Sequence, residues 1–409
     1  MRSVVCVILA SMLTVISASA VFGANFQIST AFELHAALKQ AAINGEDDVV
    51  TLEVGTYSGN FTFAPEDTQS LTLQGAKGTN PEDVILDGAD TNSVLTLWAS
   101  QTKGSVVVSG LTMQNGNVSN GQGGGIRVAF ANASLKLTLR HVIVQNNVAS
   151  DMGGGIELDT FENAHLSVKI WDSILRYNKA QRRGGGIDAY AWKGNSSIDI
   201  LIVNSLIYGN GNQANWTDGG INLAASEVGE NNIVHATIVN TTITGNLSNL
   251  KGKGNSPGGG IHIYGYRGNG VQISLDLYNS IVWGNTAIGG ASGQDLYVGE
   301  YKPGVAEVYV HRCDLGDVFV DDSGGTPIYE AEDIISARPL FVNPEAGTFT
   351  SLLARRASTL VVCPFRSNFP RWTWAETCAY ADRPLILAHT SIVASEKSQQ
   401  EEPMSIFPV

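Results

Sequence analysis

The chain has 409 residues, 43% of them hydrophobic, with a formal charge of −13. A large core can therefore be buried, and a negative surface without a basic stripe excludes a nucleic-acid-binding role. Glycine is the outlier, at 45 residues without a collagen period or a low-complexity tract, which points to repeated tight turns.

At the N-terminus, Arg2, the apolar run 4–16 and the small-x-small triplet Ala18-Ser19-Ala20 predict a signal peptide over 1–20. The expected location is outside the cell, secreted or at the cell surface. Later apolar stretches all fall short of ~20 residues, so the mature chain is not expected to span a bilayer. Cys6 falls inside the leader. Cys313, Cys363 and Cys378 are too few for a disulfide framework, and no C-x-x-C metal spacing occurs. Within an N-terminal segment 25–45, Thr30 and Glu33 form a T-x-x-E capping box. It opens a helix through about Ile43, with Leu34, Ala37, Leu38 and Ala41 on one face. That helix is expected to cover the open first edge of the strand-rich region. Strand-like runs come next at 48–54, 70–74, 84–86, 94–98 and 106–111.

From there two short phrases recur. A glycine-rich phrase opens a strand at 123–126, 153–156, 184–187, 219–221 and 258–261. A second phrase closes a strand on an asparagine, at Asn115, Asn147, Asn178, Asn210, Asn246 and Asn285. These lie 32, 31, 32, 36 and 39 residues apart. A near-constant step with growing insertions marks a solenoid. Inside each unit the period is two: Ile156 and Leu158 alternate with Glu157 and Asp159, and Ile261 and Ile263 with His262 and Tyr264. The fold class read from this is all-β, a single-stranded right-handed parallel β-helix over 46–349. Its strands should stack in register ~4.8 Å apart. The asparagines are read as a hydrogen-bonded ladder from rung to rung, at a turn where asparagine also tolerates the left-handed conformation.

The run STAFELHAAL…DDVVTLEVGTYSG, then VILDG (84–88) and SGLTMQNGN (109–117), resembles the opening of bacterial pectin-lyase-like β-helix proteins. NSIVWGNTA (279–287), QDLYV (294–298) and PLFVNPEAGTF (339–349) resemble the choice-of-anchor Q group, and the repeated phrases resemble polymorphic outer-membrane-protein repeats. The resemblance covers about 29–349. It implies the fold and an extracellular location, and it implies no particular reaction. After 349 such proteins usually continue with a phrase like HLAPGSPAIDAG, whereas this chain reads TSLLARRASTLVV. A shifted codon frame over 350–361 can encode HLAPGSPCIDAG. Residues 350–409 are therefore expected to be an atypical tail, frameshifted or disordered.

No nucleophile elbow, H-E-x-x-H or P-loop occurs. The candidate site follows from register. The first outward residue after each glycine phrase is Arg127, Glu157, Asp188, Asn222 and His262, and two further on lie Ala129, Asp159, Tyr190, Ala224 and Tyr264. With Trp192, these form a polar, partly aromatic face suited to sugars and exposed on one sheet. The leading expectation is a secreted or surface β-helix that binds carbohydrate or matrix, or serves as an adhesin-like rod. It is expected to be a monomer without metal or cofactor. The alternative is a polysaccharide lyase or glycoside hydrolase on the same sheet. In it Glu157, Asp159 and Asp188 would supply acid and base. As a lyase it would hold Ca²⁺ on those carboxyls, with Arg182 or Arg183 as base, the role that the pectate-lyase resemblance implies for arginine. An enzyme should show carboxyls converging beside a basic residue, and a rod a flat face of scattered polar groups.

Overall fold

Alternating apolar residues extend the chain and turn one face inward, and the glycine and asparagine phrases bend it at fixed intervals. The computed structural model describes residues 23–351 other than 67, 101–102, 212–218, 227–229, 250–257, 267, 289–292 and 344–347. It is a right-handed parallel β-helix with three main sheets of eleven, nine and nine strands. One coil runs Ile156–Phe161, His165–Trp171, Ile174–Arg176 and Lys179–Ala180. Each of these strands pairs in parallel with its equivalents in neighbouring coils. We name the sheets by their strands. The glycine-led sheet runs from Phe61–Phe63 to Val318–Asp321, the long sheet from Asn25–Ile28 to Ile328–Glu332, and the short sheet from Gly55–Ser58 to Asp314–Leu315.

Register places like residues in columns. Ile126, Ile156, Ile187, Ile221, Ile261 and Leu296 form one inward line, each no more than 1% exposed. Burying each such side chain contributes ~1.5–3 kcal/mol. The N-terminal helix spans Ala31–Ala41, with the Thr30–Glu33 capping box formed and Leu34, Ala37, Leu38 and Ala41 buried. It stops short of Ile43, which turns out to solvent at 61% exposure.

Two turn assignments need correction. The expectation that the glycines serve left-handed turns holds for the first of a phrase, as at Gly184 with φ +58. The third has a different reason: a Cβ on Gly186 would lie 2.5 Å from the Gly220 carbonyl oxygen of the next coil. The asparagine ladder exists, but it begins at Asn147. Each side-chain amide donates to the next asparagine's oxygen, Asn147 to Asn178, Asn178 to Asn210, Asn210 to Asn246 and Asn246 to Asn285, at 2.9–3.0 Å. Asn115 is one residue out of line. Its φ is +55, like that of Asn146, and its amide donates to Asp87. The left-handed residue is thus the one before each ladder asparagine, such as Tyr177 before Asn178 and Gly209 before Asn210.

The parallel stack ends at Ile328–Glu332, and Phe341–Asn343 and Thr348–Ser351 pair antiparallel. The leader, residues 352–409 with Cys363 and Cys378, and all but two residues of the reading-frame argument lie outside the described residues. No helix among the described residues is long and apolar enough to cross a membrane.

Candidate functional site

On the glycine-led sheet, Ile156 and Leu158 point into the core, so Glu157 and Asp159 point away from it. Parallel register assembles the two expected columns. Arg127, Glu157, Asp188, Asn222 and His262 are successive partners, as are Ala129, Asp159, Tyr190, Ala224 and Tyr264. Trp192 comes from a bulge. Thr160 pairs with Ala191 and Phe161 with Lys193, leaving Trp192 as the extra residue, its ring 5.6 Å from Phe161.

The expectation of an exposed face is corrected. Glu157, Asp188 and Asn222 are 0% exposed and His262 is 7% exposed. Arg127, Asp159, Arg183, Tyr190, Trp192 and Tyr264 are half-buried around them. A carboxyl leaves water at low cost only when its charge is answered or removed, and both occur here. Asp188 Oδ2 lies 3.4 Å from Arg183 Nη2, and its Oδ1 accepts from the Asn222 amide at 2.6 Å. That orientation turns the Asn222 oxygen to His262 Nδ1 at 2.9 Å, so Nδ1 carries the proton. Arg183 enters from the turn before Gly184 and lies 4.1 Å from the centre of the Tyr190 ring. Burial opposes its charge, but Asp188 first, then Tyr266 and Glu157, hold the guanidinium well above its ordinary range.

Glu157 is the opposite case. Neither of its oxygens has a hydrogen-bond partner. Burial, then the Asp188 and Asp159 charges, push its carboxyl well up, toward the neutral acid. Asp159 lies between these extremes. Burial and Asp188 raise it to about 7, against Arg183, Arg127 and a hydrogen bond from the Trp192 indole.

The geometry redistributes the expected roles. Acid–base hydrolysis needs two carboxyls that reach the substrate, and Glu157 and Asp188 are sealed off. Arg183 is held between Asp188 and the Tyr190 ring, and Arg182 is 63% exposed in an ion pair with Asp151. Among the described residues no group of three or more His, Cys, Asp or Glu is arranged to hold a metal ion. With Asp188 bound to Arg183 and Asn222, the donor set does not fit Ca²⁺.

Register also brings in residues the repeat phrases did not mark. Trp98, 44% exposed, precedes Ala129 in the second column. Tyr297 follows His262 in the first, its ring 5.2 Å away. The rings of Tyr266 and Tyr301 lie 4.8 and 5.3 Å from Tyr264. Trp98 and Tyr297 sit on strands without a full glycine phrase, which is why that phrase did not index them.

No family model matches the sequence, and no curated protein matches it. Among solved structures, it is similar to an alginate lyase from Paenibacillus sp. str. FPU-7, with a TM-score of 0.32 and 12% identity over 75% of this chain and 99% of that one. It is also similar to the PL6 family alginate lyase AlyGC, with a TM-score of 0.24 and 12% identity over 80% of this chain and 55% of that one. Neither likeness assigns a role to any residue of this chain.

Proposed function

We propose that this protein is an extracellular polysaccharide-active enzyme that cleaves acidic glycans by β-elimination on the glycine-led sheet. The observation that carries the reading is convergence. Three carboxyls from two adjoining strands meet one half-buried guanidinium, and only one of the three, Asp159, reaches the surface. A rod or simple adhesin has no need to bury such a cluster, which costs several kcal/mol per uncompensated ion.

Elimination suits these groups better than hydrolysis. A uronate carboxylate binds beside Arg183, with Arg127 near, and neutralising it acidifies the C5 proton. Asp159, with a proton affinity near neutrality, takes that proton as general base. The C5–H electron pair becomes the C4=C5 double bond and the C4–O bond breaks. The Tyr190 phenol donates its proton to the departing oxygen. Glu157 and Asp188 are positioning residues: Asp188 raises the Asp159 proton affinity, both hold Arg183 charged, and Asn222 and His262 fix Asp188. Trp98 and Tyr264, in the Asp159 column, offer ring faces for flanking sugars.

The test is an activity screen on pectate, alginate, chondroitin and neutral glycans, with Ca²⁺ or with chelator, read by ultraviolet absorbance of the conjugated product. Product from one acidic glycan, indifferent to chelator and lowered about 10²–10⁴-fold by Asp159→Asn, is expected. New reducing ends without absorbance would mean hydrolysis. Binding without turnover on every polymer would return the protein to the carbohydrate-binding reading, which the aromatic column alone supports.

A further inference from the structure

The long sheet presents a second polar feature, on a different face of the coil. Its strands Lys103–Ser109, Ser134–Arg140 and His165–Trp171 contain no aspartate or glutamate, in a chain of net charge −13. Lys136 and Arg140 on one strand and Lys169 on the next form a small basic patch. Beside it lies a groove of about 530 Å³. One register column forms its line: Ser70, Ser105, Lys136, Ser167 and Asp199, flanked by His165. At ~4.8 Å per coil the line is about 19 Å long and runs along the solenoid axis. No described residue hydrogen-bonds or ion-pairs with Lys136 or Asp199, and burial alone raises the Asp199 carboxyl to about 6.

The lining narrows the ligand. Hydroxyls alternate with one ammonium and one carboxyl, and no Phe, Tyr or Trp contributes, so stacked bases and apolar molecules find no platform. The neighbouring strands of this sheet are already paired on both edges, so an extended peptide cannot add to it. We propose that this groove is a second glycan-binding site that holds a segment of an acidic polysaccharide, with Lys136 pairing a sugar carboxylate and the serines and Asp199 taking its hydroxyls. It lies outside the residues assigned to β-elimination and does not depend on that reaction. Its role is to keep a polymer on the protein while another stretch reaches the glycine-led sheet.

Affinity electrophoresis of the full chain carrying Asp159→Asn, in gels cast with pectate, alginate or neutral dextran, tests it. Retardation in an acidic gel, absent in dextran and diminished by salt, is expected. Adding Lys136→Ala should weaken it about tenfold, and adding Ser167→Tyr, which fills the groove, should weaken it as well. On the native Asp159 background, both changes should leave turnover of a short soluble oligosaccharide unchanged. Equal retardation of all three proteins, or equal retardation in dextran, would overturn the proposal. So would a parallel loss of oligosaccharide turnover, which would make the groove part of the first site. Lys136-dependent binding without any turnover would leave the groove standing and remove the enzyme.

Discussion

Asp159 can change its charge near neutral pH because it stands at the margin of a buried cluster, and this has a consequence for stability. In the folded chain Glu157 is raised, Asp159 lies at about 7, and Asp199 and Asp314 lie at about 6. The unfolded chain releases these protons near ~4. The native state therefore binds more protons between pH ~4 and ~7, and stability falls as pH rises through that window. His235 acts oppositely: burial lowers it to about 4, so its contribution is lost as pH falls below ~6.5. We expect the stability of Asp159→Asn relative to the parent to increase by on the order of 1–3 kcal/mol between pH 5 and pH 8, in paired denaturant titrations. An unchanged difference across that range would contradict the assignment. At this scale the sequence was legible in part. Alternation and repeat spacing were enough to align Glu157 with Asp188 and Asp159 with Tyr190. They carry no information on what lies over a column, so burial of the cluster was hidden, and a single-residue bulge is invisible to periodicity, so the setting of Trp192 was too.

Each ladder asparagine has its bonding capacity used within the stack. Asn210 Oδ1 accepts from the backbone N–H and the amide of Asn178, and its own amide donates to Leu175 O and to Asn246. Asn210→Ala strands several buried groups at once, at ~1–3 kcal/mol for each left unsatisfied. Asn115→Ala, outside the ladder, loses one amide bond and places alanine at φ +55, for about 1–2 kcal/mol in all, well below the Asn210 loss. Urea denaturation of the two variants checks the contrast, and equal losses would refute a ladder that starts at Asn147. The slip at Asn115 was legible in hindsight. Gly116, not Asn115, occupies the ladder position, and its N–H donates to Asn147 Oδ1. The phrase ends in a single asparagine there and a doubled one at 146–147, so matching on the last asparagine misaligned the coils by one residue. The N-terminal helix was legible in full on its buried face, because Leu34, Ala37, Leu38 and Ala41 follow the helical period and Thr30 closes the box. Removing that box by Thr30→Ala should cost ~1 kcal/mol.

Stacked coils contact only their neighbours, so stability is distributed along the axis rather than shared through one centre. The two ends differ. The N-terminal end lies under the helix Ala31–Ala41, whereas Ile328–Glu332, the last strand of the long sheet, is mostly exposed. Hydrogen exchange should therefore be slowest in the middle coils, around Ile187–Lys193 and Ser197–Val203, and fastest from Ile328–Glu332. Uniform protection along the chain would show a single cooperative block instead. The repeat step made the parallel stack readable, since only whole coils explain it. The basic patch was hidden because Lys169 joins Lys136 and Arg140 only when neighbouring coils are laid side by side. The ladder's last member adds one more property. Asn285 donates to Asp295, whose carboxylate accepts from its backbone N–H and its amide and also takes the N–H of Asp317. A carboxylate has no proton to hand on, so Asp295 is a full stop. A duplicated coil carrying its own asparagine can be spliced in ahead of it, outside the coils that hold Glu157 to His262, with both ends untouched. In this molecule length is a quantity that gene duplication can adjust without redesign.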